Sequence, residues 1–417
     1  MNPIIFHIDV NSAYLSWTAL KRLEDGDSTD LRLIPSIIGG DMEKRHGVVL
    51  AKSIPAKKYG IQTGEPVVNA FRKCPSLVMA PPDHNLYSKR SHALMEYLSG
   101  ICPDIEQVSV DECYLDFSSV AGRYSSPVAC AAIIRKEVLQ KFGFTVNVGI
   151  SDRKVLAKMA SDFKKPNLTH TLFASEIREK MWPLPISSLF MCGKSSVEAL
   201  RKLEILTIGD LAQSNPEILE AHMKSHGRLL WEYANGIDDS AVLSEPVKAK
   251  GIGNSITLSQ DAVSPEEAKV VLLSLSESVA SRLRAEGQRA LMESIEIKYS
   301  DFRTVSHQTT FQTPVDSDKL IYETACRLFE ETWSRAPIRL LGIRTAKLCP
   351  ASEPVQLTLF DLEQPLTTEE NRSTHLDTEK QHRLDNAIDS IRQRFGANSI
   401  VRGSLLGQHD TYKSRKE

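Results

Sequence analysis

Residues 105–117, IEQVSVDECYLDF, give the clearest structural signal in the N-terminal half of the chain. Apolar and polar side chains alternate along this stretch, which is typical of a half-buried strand or hairpin. Upstream of it, PIIFHIDV (3–10) is a short apolar run with β-branched and aromatic members, and it predicts a buried strand. Asp9 comes at the end of that strand, and Asp111 and Glu112 lie midway through the alternating stretch.

Helical patterns flank these two segments. Asn11 or Ser12 can cap the helix predicted over 13–23, whose apolar positions recur at helical spacing. The other elements predicted in this half are helices over 86–100, 127–141 and 155–164 and a strand over 144–150. This order favours an α/β or α+β layer built on a sheet. Residues 174–240 then form short helices with glycine-containing turns, and a domain boundary lies near 244–251.

Beyond this boundary, residues 252–348 predict the order β-α-β-β-α-β, a known compact unit. The first helix of this unit has a clear start signal, because Ser264 caps it, Pro265 occupies its first position and Glu267 completes a capping box. The chain then becomes polar, and residues 382–396 predict one further amphipathic helix.

Composition sets limits on the class of protein. The 417 residues suggest roughly two to four domains. The net charge of −2 gives no support to nucleic-acid binding, so any DNA contact must come from local basic patches. A secretory signal and a long apolar run are both missing, and the seven cysteines include no Cys-x-x-Cys pair. We therefore expect a cytoplasmic protein with no membrane contact, no disulfide framework and no zinc site.

Asp9, Asp111 and Glu112 are the candidate chemical centre. Carboxylates beside apolar strand residues are costly to bury unless a cation compensates, and hard oxygen ligands suit Mg²⁺. Two such ions about 4 Å apart can activate a hydroxyl nucleophile and stabilise a leaving oxygen. The alternative is that neighbouring strand residues point to opposite faces, so that Asp111 or Glu112 simply faces water. Spacing alone favours this alternative.

Three further signals are weak by themselves. Lys158, Lys164 and Lys165 could meet phosphate, although a solvated helix face explains them better. The segment around Gly193 resembles a helix-hairpin-helix, in which backbone N–H groups face a phosphate. Tyr14, on the first helical turn after Asp9, could be plain core packing.

Three segments occur in one order along the chain: HIDVNSAY (7–14), SVDECYLDF (109–117) and GISDRKVLAKMASDFKKPN (149–167). Together they resemble the Y-family DNA polymerases, specifically the bacterial DNA polymerase IV group. SVDECYLDF is close to that family's palm motif, Ser-hydrophobic-Asp-Glu-x-Tyr-Leu-Asp. The resemblance extends over roughly residues 3–360.

The resemblance implies a role for individual residues of the site. The implied catalytic and metal-binding groups, for two Mg²⁺ ions, are the carboxylates of Asp9, Asp111 and Glu112 and the backbone carbonyl of Val10. Tyr14 matches the steric gate, an aromatic ring that excludes a 2′-hydroxyl. Lys165 matches the lysine that neutralises the incoming triphosphate.

The resemblance also implies an α+β multidomain fold with a right-hand-like palm, fingers and thumb and a β-α-β-β-α-β little finger. The implied domains are palm 1–12 and 84–173, fingers 13–83, thumb 174–240 with its helix-hairpin-helix, little finger 248–349, and a tail over 350–417. KGIGNSITLSQD, near the start of the little finger, is similar to the family's signature at that point. Its DNA contacts should be to phosphate, and therefore largely independent of base sequence.

PVQLTLFD (354–361) is similar to a sliding-clamp-binding peptide, with Gln356, Leu359 and Phe360 as anchors. Adjacent apolar side chains in a polar segment are otherwise an exposure liability, and a pocket on a partner explains them. Packing back onto the protein itself is the alternative. The expected partners are thus primer-template DNA, deoxynucleoside triphosphates and the clamp, around a monomeric enzyme.

The finger segment AKSIPAKKYGIQTG (51–64) departs from the family pattern. Ile54 and Lys57 stand where the family carries a tyrosine and an arginine onto the triphosphate. Lysine is a point charge rather than a bidentate fork, so we expect Lys57 to bind the triphosphate differently. The other departures from the family pattern are Asn11, Ala13, Leu168 and Glu204.

The expected function is template-directed, Mg²⁺-dependent DNA synthesis of the translesion type, with low fidelity, in DNA damage tolerance and repair. Two alternatives belong to different classes. A catalytically weak polymerase-like accessory protein, recruited by the sliding clamp, would lack carboxylates that are present here. A nucleotidyl cyclase would also use paired acids and metal, but it would need neither the thumb, the little finger nor QLTLF.

Overall fold

The computed structural model describes residues 3–40, 47–245, 248–353, 369–396 and 398–405, and of residues 369–379 only the backbone. The described chain forms two compact units. One comprises the residues up to Gly40 together with Gly47–Val247, and the other begins at Lys248. Within the described ranges, no helix combines the length and the apolar character that crossing a membrane requires.

The first unit contains eight strands and eleven helices among its described residues. The strands are β1 (Ile5–Val10), β2 (Ser36–Gly39), β3 (Val49–Lys52), β4 (Val78–Ala80), β5 (Ile105–Gln107), β6 (Glu112–Asp116), β7 (Val146–Ser151) and β8 (Thr169–Thr171). The helices are α1 (Ala13–Glu24), α2 (Ile54–Lys58), α3 (Val67–Lys73), α4 (His84–Ile101), α5 (Pro127–Phe142), α6 (Lys154–Asp162), α7 (Ile177–Lys180), α8 (Lys194–Arg201), α9 (Ile208–Gln213), α10 (Pro216–Met223) and α11 (Ser225–Ala234).

A five-stranded sheet of order β5-β6-β1-β7-β8 forms the centre of this unit. The middle strand, β1, is buried along its whole length and pairs antiparallel with both β6 and β7. Phe6 and Ile8 face a core built with α1, α4 and α5, because alternate strand residues share a face. His7 and Asp9 therefore lie on the opposite face, where α6 packs against β7.

Two smaller layers complete the first unit. A three-stranded sheet of order β3-β2-β4 packs with α2 and α3 around Ile37, Val49 and Val67. The helices α7 to α11 surround a core of their own, which includes Leu200 and Leu230. The predicted run of short helices over 174–240 is therefore confirmed.

The second unit has the predicted β-α-β-β-α-β order. Its elements are β9 (Gly251–Ala262), α12 (Pro265–Ala285), β10 (Gln288–Tyr299), β11 (Thr304–Val315), α13 (Asp318–Thr332), β12 (Ile338–Pro350) and α14 (Glu369–Phe395). The four strands form an antiparallel sheet of order β11-β10-β12-β9, and α12 and α13 bury their apolar residues against it. The predicted capping box is present, since Ser264 Oγ accepts from the Glu267 N–H and Glu267 Oε2 accepts from the Ser264 N–H.

One carboxyl is buried in this second unit without compensation. Glu293 on β10 has 0% exposure, and neither of its carboxyl oxygens has a hydrogen-bond partner among the described residues. Burial raises the pKa of Glu293 to about 9, although the charge of Arg327 acts in the opposite direction. Glu293 is therefore a buried, protonated acid at neutral pH.

The C-terminal segment docks on the helices of the second unit through ion pairs. Arg392 Nη2 lies 2.9 Å from Glu277 Oε2 on α12, and Arg402 binds the other oxygen of Glu277. Arg284 Nε lies 2.7 Å from Asp389 Oδ2 on α14. Glu277 and Arg284 are both buried (side chains 8% and 6% exposed), so their charges are matched out of contact with water.

One open alternative was resolved, and two local expectations were wrong in detail. Residues 105–117 form a hairpin, in which the turn 108–111 separates β5 from β6. Ser12 stands at the start of α1 but makes no side-chain capping bond, and its left-handed φ of 49° differs from the extended conformation of a capping residue. The side chain of Asn11 instead donates to the Thr145 carbonyl. The last helix, α14, begins thirteen residues before the predicted start, in a stretch too polar to show periodicity.

Candidate active site

Backbone pairing brings the three predicted carboxylates to neighbouring positions. Asp9 on β1 lies directly opposite Glu112, the first residue of β6. The Val10 N–H donates to the Asp111 carbonyl at 3.0 Å, which fixes the turn before β6 against the end of β1. Directly opposed residues of antiparallel strands share a face of the sheet. Asp9 and Glu112 therefore point to the same side.

Asp111 belongs to the turn before β6, so the rule that neighbouring strand side chains point to opposite faces does not apply to it. Ser109 Oγ donates to Asp111 Oδ1 at 2.7 Å and holds this carboxylate. Burial raises the pKa of Tyr14, and the charge of Asp111 raises it further, so the two groups interact electrostatically. The interpretation that strand alternation sends one of the two acids into water is wrong, since Asp111 and Glu112 are both half-buried.

Two lysines reach these carboxylates from α6 and the loop that follows it. Lys165 Nζ lies 2.5 Å from Asp9 Oδ2 and 2.9 Å from Asp162 Oδ1. Lys158 Nζ lies 2.5 Å from Glu112 Oε1, and only 9% of Lys158 is exposed. The expectation of a solvated helix face is therefore wrong for Lys158, which binds a carboxylate instead.

Burial and charge act against each other in this cluster. Burial raises the pKa of Asp9 to about 7, even though the charge and hydrogen bond of Lys165 lower it, and a hydrogen bond with Glu112 adds to the rise. Burial lowers the pKa of Lys165, but the charges of Asp9 and Asp162 outweigh burial, so that its pKa is raised overall. A neighbouring cation therefore stabilises the ionised, buried carboxylate of Asp9.

His7 is a site neighbour that sequence reasoning missed. It is 1% exposed, and its Nδ1 forms a 2.8 Å hydrogen bond with Ser161 Oγ. Burial, together with the charges of Lys158 and Lys165, holds the pKa of His7 well below its ordinary value. The ring is therefore neutral, and its 4.0 Å approach to Glu112 is not an ion pair.

Tyr14 lies in an aromatic cluster beside the carboxylates. Its ring stacks on Tyr87 with centroids 4.2 Å apart and planes 10° apart, and His84 meets it edge-on at 6.0 Å. The Tyr87 hydroxyl is 2.8 Å from Thr18 Oγ1, so the stacking partner is itself anchored. Tyr14 is only partly buried, so part of its ring stays accessible.

The second feature that sequence reasoning missed is Asn147 and its pairing with Asn11. Asn147 on β7 lies opposite Asp9, is fully buried, and bonds to the loop that carries Lys165. Asn11 bonds to Asn147 and to the same loop. The sequence offered a weak signal here, since Asn147 is the single amide within a predicted strand whose other residues are mostly apolar.

Other predicted residues stand apart from this cluster or outside the described chain. Lys57 is exposed on α2, and its charge adds to the effect of burial in lowering the pKa of Lys52. Ile54, at the start of the same helix, is 53% exposed. The predicted clamp anchors Gln356, Leu359 and Phe360 lie outside the described residues.

The donor types fit a hard divalent cation, since all three acids offer carboxylate oxygens and Asp9 is buried with a need for positive charge. Each carboxylate is, however, turned to its own protein partner: Lys165, Lys158 or Ser109. Accordingly, the described residues include no group of three or more His, Cys, Asp or Glu side chains arranged to hold a metal ion.

Comparison with a solved structure identifies the class of fold. A Y-family DNA polymerase chimera matches this chain with a TM-score of 0.72 and 22% identity, covering 83% of this chain and 99% of the chimera. The predicted α+β multidomain fold, that of a Y-family DNA polymerase, is confirmed.

Sequence comparison then gives the family. The family model described as the impB/mucB/samB family matches residues 8–162, and the model of that family's C-terminal domain matches residues 249–359. A DNA polymerase IV from Clostridium acetobutylicum is 44% identical over 410 residues, which cover 98% of this chain and 100% of that protein. DNA polymerase IV 1 from Bacillus subtilis is 32% identical over 98% of this chain and 94% of its own length. The chain belongs to the impB/mucB/samB family of Y-family DNA polymerases.

These matches confirm the expected function. The protein is a template-directed, divalent-metal-dependent DNA polymerase of the translesion type, with DNA and nucleotides as its substrates. A weak accessory protein is not favoured, because the similarity to polymerases extends over the whole chain and includes the carboxylate segments.

Proposed function

We propose that Asp9, Asp111 and Glu112 are the catalytic carboxylates and hold two Mg²⁺ ions, with the Val10 carbonyl as a further ligand. The observation that carries this proposal is the direct cross-strand pairing of Asp9 with Glu112, beside the bond from Val10 to Asp111. The bound ions would promote ionisation of the primer 3′-hydroxyl and neutralise charge on the leaving pyrophosphate. The protein residues supply position and charge, which dominate phosphoryl transfer.

Lys165 has a double role in this proposal. In the described structure its ammonium group compensates the charge of Asp9. A metal ion held by Asp9 would supply that compensation, and the ammonium group would then be free to bind the incoming triphosphate. Lys158 stays on Glu112 or Asp162 and keeps the net charge of the site low. Lys57 would add a point charge from the fingers.

Tyr14 is proposed as the steric gate. Its ring is held by Tyr87, and the charge of Asp111 acts on its hydroxyl, which supports a place for Tyr14 next to the sugar of a bound nucleotide. A rigid ring excludes a 2′-hydroxyl by overlap rather than by weaker attraction.

The domain assignment follows the family. The five-stranded sheet belongs to the palm (1–12 and 84–173), the three-stranded sheet to the fingers (13–83), and α7 to α11 to the thumb (174–240). The β-α-β-β-α-β unit (248–349) is the little finger. The proposed enzyme is a monomer of the cytoplasm whose DNA contacts are largely to phosphate, which makes its affinity sensitive to salt.

Primer extension on a defined template with Mg²⁺ tests the carboxylates. Asp9→Ala, Asp111→Ala and Glu112→Ala should each lower the rate by about 10³-fold or more, because a metal ligand is lost. Asp116→Asn is the matched control, since Asp116 lies at the far end of β6 and bonds to the Ser118 N–H. Full activity in any of the three alanine variants would remove that residue from the proposed site.

A separate experiment tests the clamp-binding peptide. Deleting residues 356–360 should abolish stimulation by a sliding clamp and leave basal extension unchanged. Stimulation that persists in the deletion variant would refute the assignment of Gln356, Leu359 and Phe360. Loss of both activities would instead show that the segment serves folding.

A further inference from the structure

Asn147 is a buried amide that the catalytic scheme leaves unexplained. It has 0% exposure in the middle of the palm sheet, on β7, directly opposite Asp9. A buried amide is costly unless its donors and acceptor are all bonded. The hydrogen-bond partners of this side chain therefore indicate its role.

The amide of Asn147 bonds to both sides of the Lys165 loop. Its Nδ2 donates to the Ser161 carbonyl at 3.0 Å and to the Lys164 carbonyl at 2.7 Å. Its Oδ1 accepts from the Leu168 N–H at 3.2 Å. Carbonyl oxygens only accept and an amide N–H only donates, so these three partners fix the orientation of the side chain.

Asn11 holds the same loop from the end of β1. Its Oδ1 accepts from the Asn167 N–H at 3.3 Å, and its Nδ2 donates to Thr145 O at 3.3 Å and Asn147 Oδ1 at 3.4 Å. The Lys164 carbonyl before Lys165 and the Asn167 and Leu168 N–H groups after it are thus bonded to Asn147 on β7 and Asn11 at the end of β1. Helix α6 ends at Asp162, before this loop.

We propose that Asn147, supported by Asn11, is a positioning residue that sets where Lys165 presents its ammonium group to the incoming triphosphate. Lysine has a long, flexible side chain, and the region it can reach depends on its backbone. Because Asn147 sits opposite Asp9 in the sheet, one amide fixes the lysine loop relative to the metal-binding edge. This inference rests on the proposed triphosphate role of Lys165.

Steady-state kinetics with Asn147→Ala tests this role. We expect the KM for deoxynucleotide to rise about five- to tenfold, as for the loss of one or two buried hydrogen bonds, while kcat changes by less than about twofold. Asn11→Ala should raise KM in the same direction and provides a second variant at a less central position. Asn235→Ala is the matched control, because Asn235 also donates its amide to two backbone carbonyls, those of Ala212 and Trp231, but in the thumb.

Hydrogen exchange gives a readout that does not depend on activity. In Asn147→Ala the Leu168 N–H loses its acceptor, and in Asn11→Ala the Asn167 N–H loses its own, so these amides should exchange faster. The Asn235→Ala control should leave both the exchange of this loop and the KM unchanged, whatever its effect on thermal stability.

Lys165→Ala distinguishes the positioning role of Asn147 from the triphosphate-binding role of Lys165. If Lys165→Ala raises KM but Asn147→Ala and Asn11→Ala leave it unchanged, the positioning role is wrong and the role of Lys165 stands. If Lys165→Ala leaves KM unchanged, both are wrong. An equal rise of KM in Asn235→Ala would also overturn the inference, since the effect would then be a general loss of stability.

Discussion

Tyr14 owes its fixed position to its neighbours. The ring lies face to face with Tyr87, whose hydroxyl is bonded to Thr18 within a buried environment. Offset stacking of this kind adds stability beyond the area buried, so rotation of the Tyr14 ring away from Tyr87 is disfavoured. A gate that discriminates by overlap has to be rigid, and this arrangement supplies the rigidity.

Removing the ring should therefore relax the choice of sugar. Tyr14→Ala is expected to raise the kcat/KM for ribonucleotides relative to deoxynucleotides by about tenfold or more, because the overlap with a 2′-hydroxyl disappears. Tyr14→Phe keeps the stacked ring and should retain the wild-type ratio. The ratio is measured by single-nucleotide insertion, and an unchanged value in Tyr14→Ala would exclude the gate role.

Glu293 makes a prediction about pH and stability. Its pKa is raised from 4.5 to about 9 in the folded protein, so between these values the native state holds a proton that the unfolded chain has released. Stability from this group is therefore present at low pH and is lost as the pH rises through this window. Glu293→Gln should flatten the fall in free energy of unfolding between about pH 6 and pH 9, measured by urea denaturation. An unchanged slope would mean that Glu293 ionises normally.

At this scale, the sequence singles out the residues that belong to a motif, but not the residues that support them. Asp9, Tyr14 and Lys165 were found because each belongs to a recognisable run of sequence. Asn147 and His7 act through partners 14 to 154 residues away, and such contacts leave no local pattern.

Among the elements, α6 and β7 are packed unusually closely. A Cβ atom added to Gly149 would lie 2.0 Å from the Ala157 carbonyl oxygen and 2.5 Å from the Ser161 nitrogen. Only glycine lets the helix backbone approach the strand in this way. Because α6 carries Lys158 and leads to Lys165, this close contact between α6 and β7 determines how far both lysines lie from the carboxylates.

Gly149→Ala should consequently displace α6. We expect it to destabilise the protein by about 3 kcal/mol, as overpacking against backbone atoms does, and to lower activity as well. Gly100→Ala, on α4, is the matched control, because nothing lies within 4 Å of its added Cβ. The control should gain about 0.5–1 kcal/mol from helix propensity. Thermal and urea denaturation measure both, and equal stability of the two variants would contradict the close packing.

Elements with strong periodicity were predicted well, for example the whole β-α-β-β-α-β order and the capping box at Ser264. The alternating stretch over 105–117 was more ambiguous, because a strand and a tight hairpin share the same alternation. The distinction between strand and hairpin matters for Asp111. Because this residue lies in the turn, its side chain need not point to the face opposite Glu112.

For the molecule as a whole, the docked C-terminal segment is a feature that the sequence did not predict. Its contacts join residues 84 to 125 positions apart through charged side chains, which look like ordinary surface residues in the sequence. The family resemblance gave the multidomain fold, but it extended only to about residue 360 and assigned the tail beyond the clamp peptide no role.

Charge reversal in the tail should release it. Arg402 contacts Glu277 on α12 and Asp318 on α13, so Arg402→Glu places three carboxylates together and should weaken docking by about 2 kcal/mol. Hydrogen exchange over 382–396 and 398–405 should increase. Lys269→Glu is the control, since its pairing with Glu330 is largely exposed and is worth about 0.5 kcal/mol or less. Unchanged exchange in Arg402→Glu would show that the ion pairs do not hold the segment.

The docked tail also bears on how a shortened enzyme would behave. A protein truncated after Asp361 keeps the polymerase domains and the predicted clamp peptide, but Glu277 loses both of its arginine partners and Arg284 loses Asp385 and Asp389. The surface of α12 that the tail covers then becomes exposed to solvent and loses these ion pairs. Differences in solubility or self-association between the truncated and the full-length enzyme would originate at that surface, at a distance in sequence from every catalytic residue.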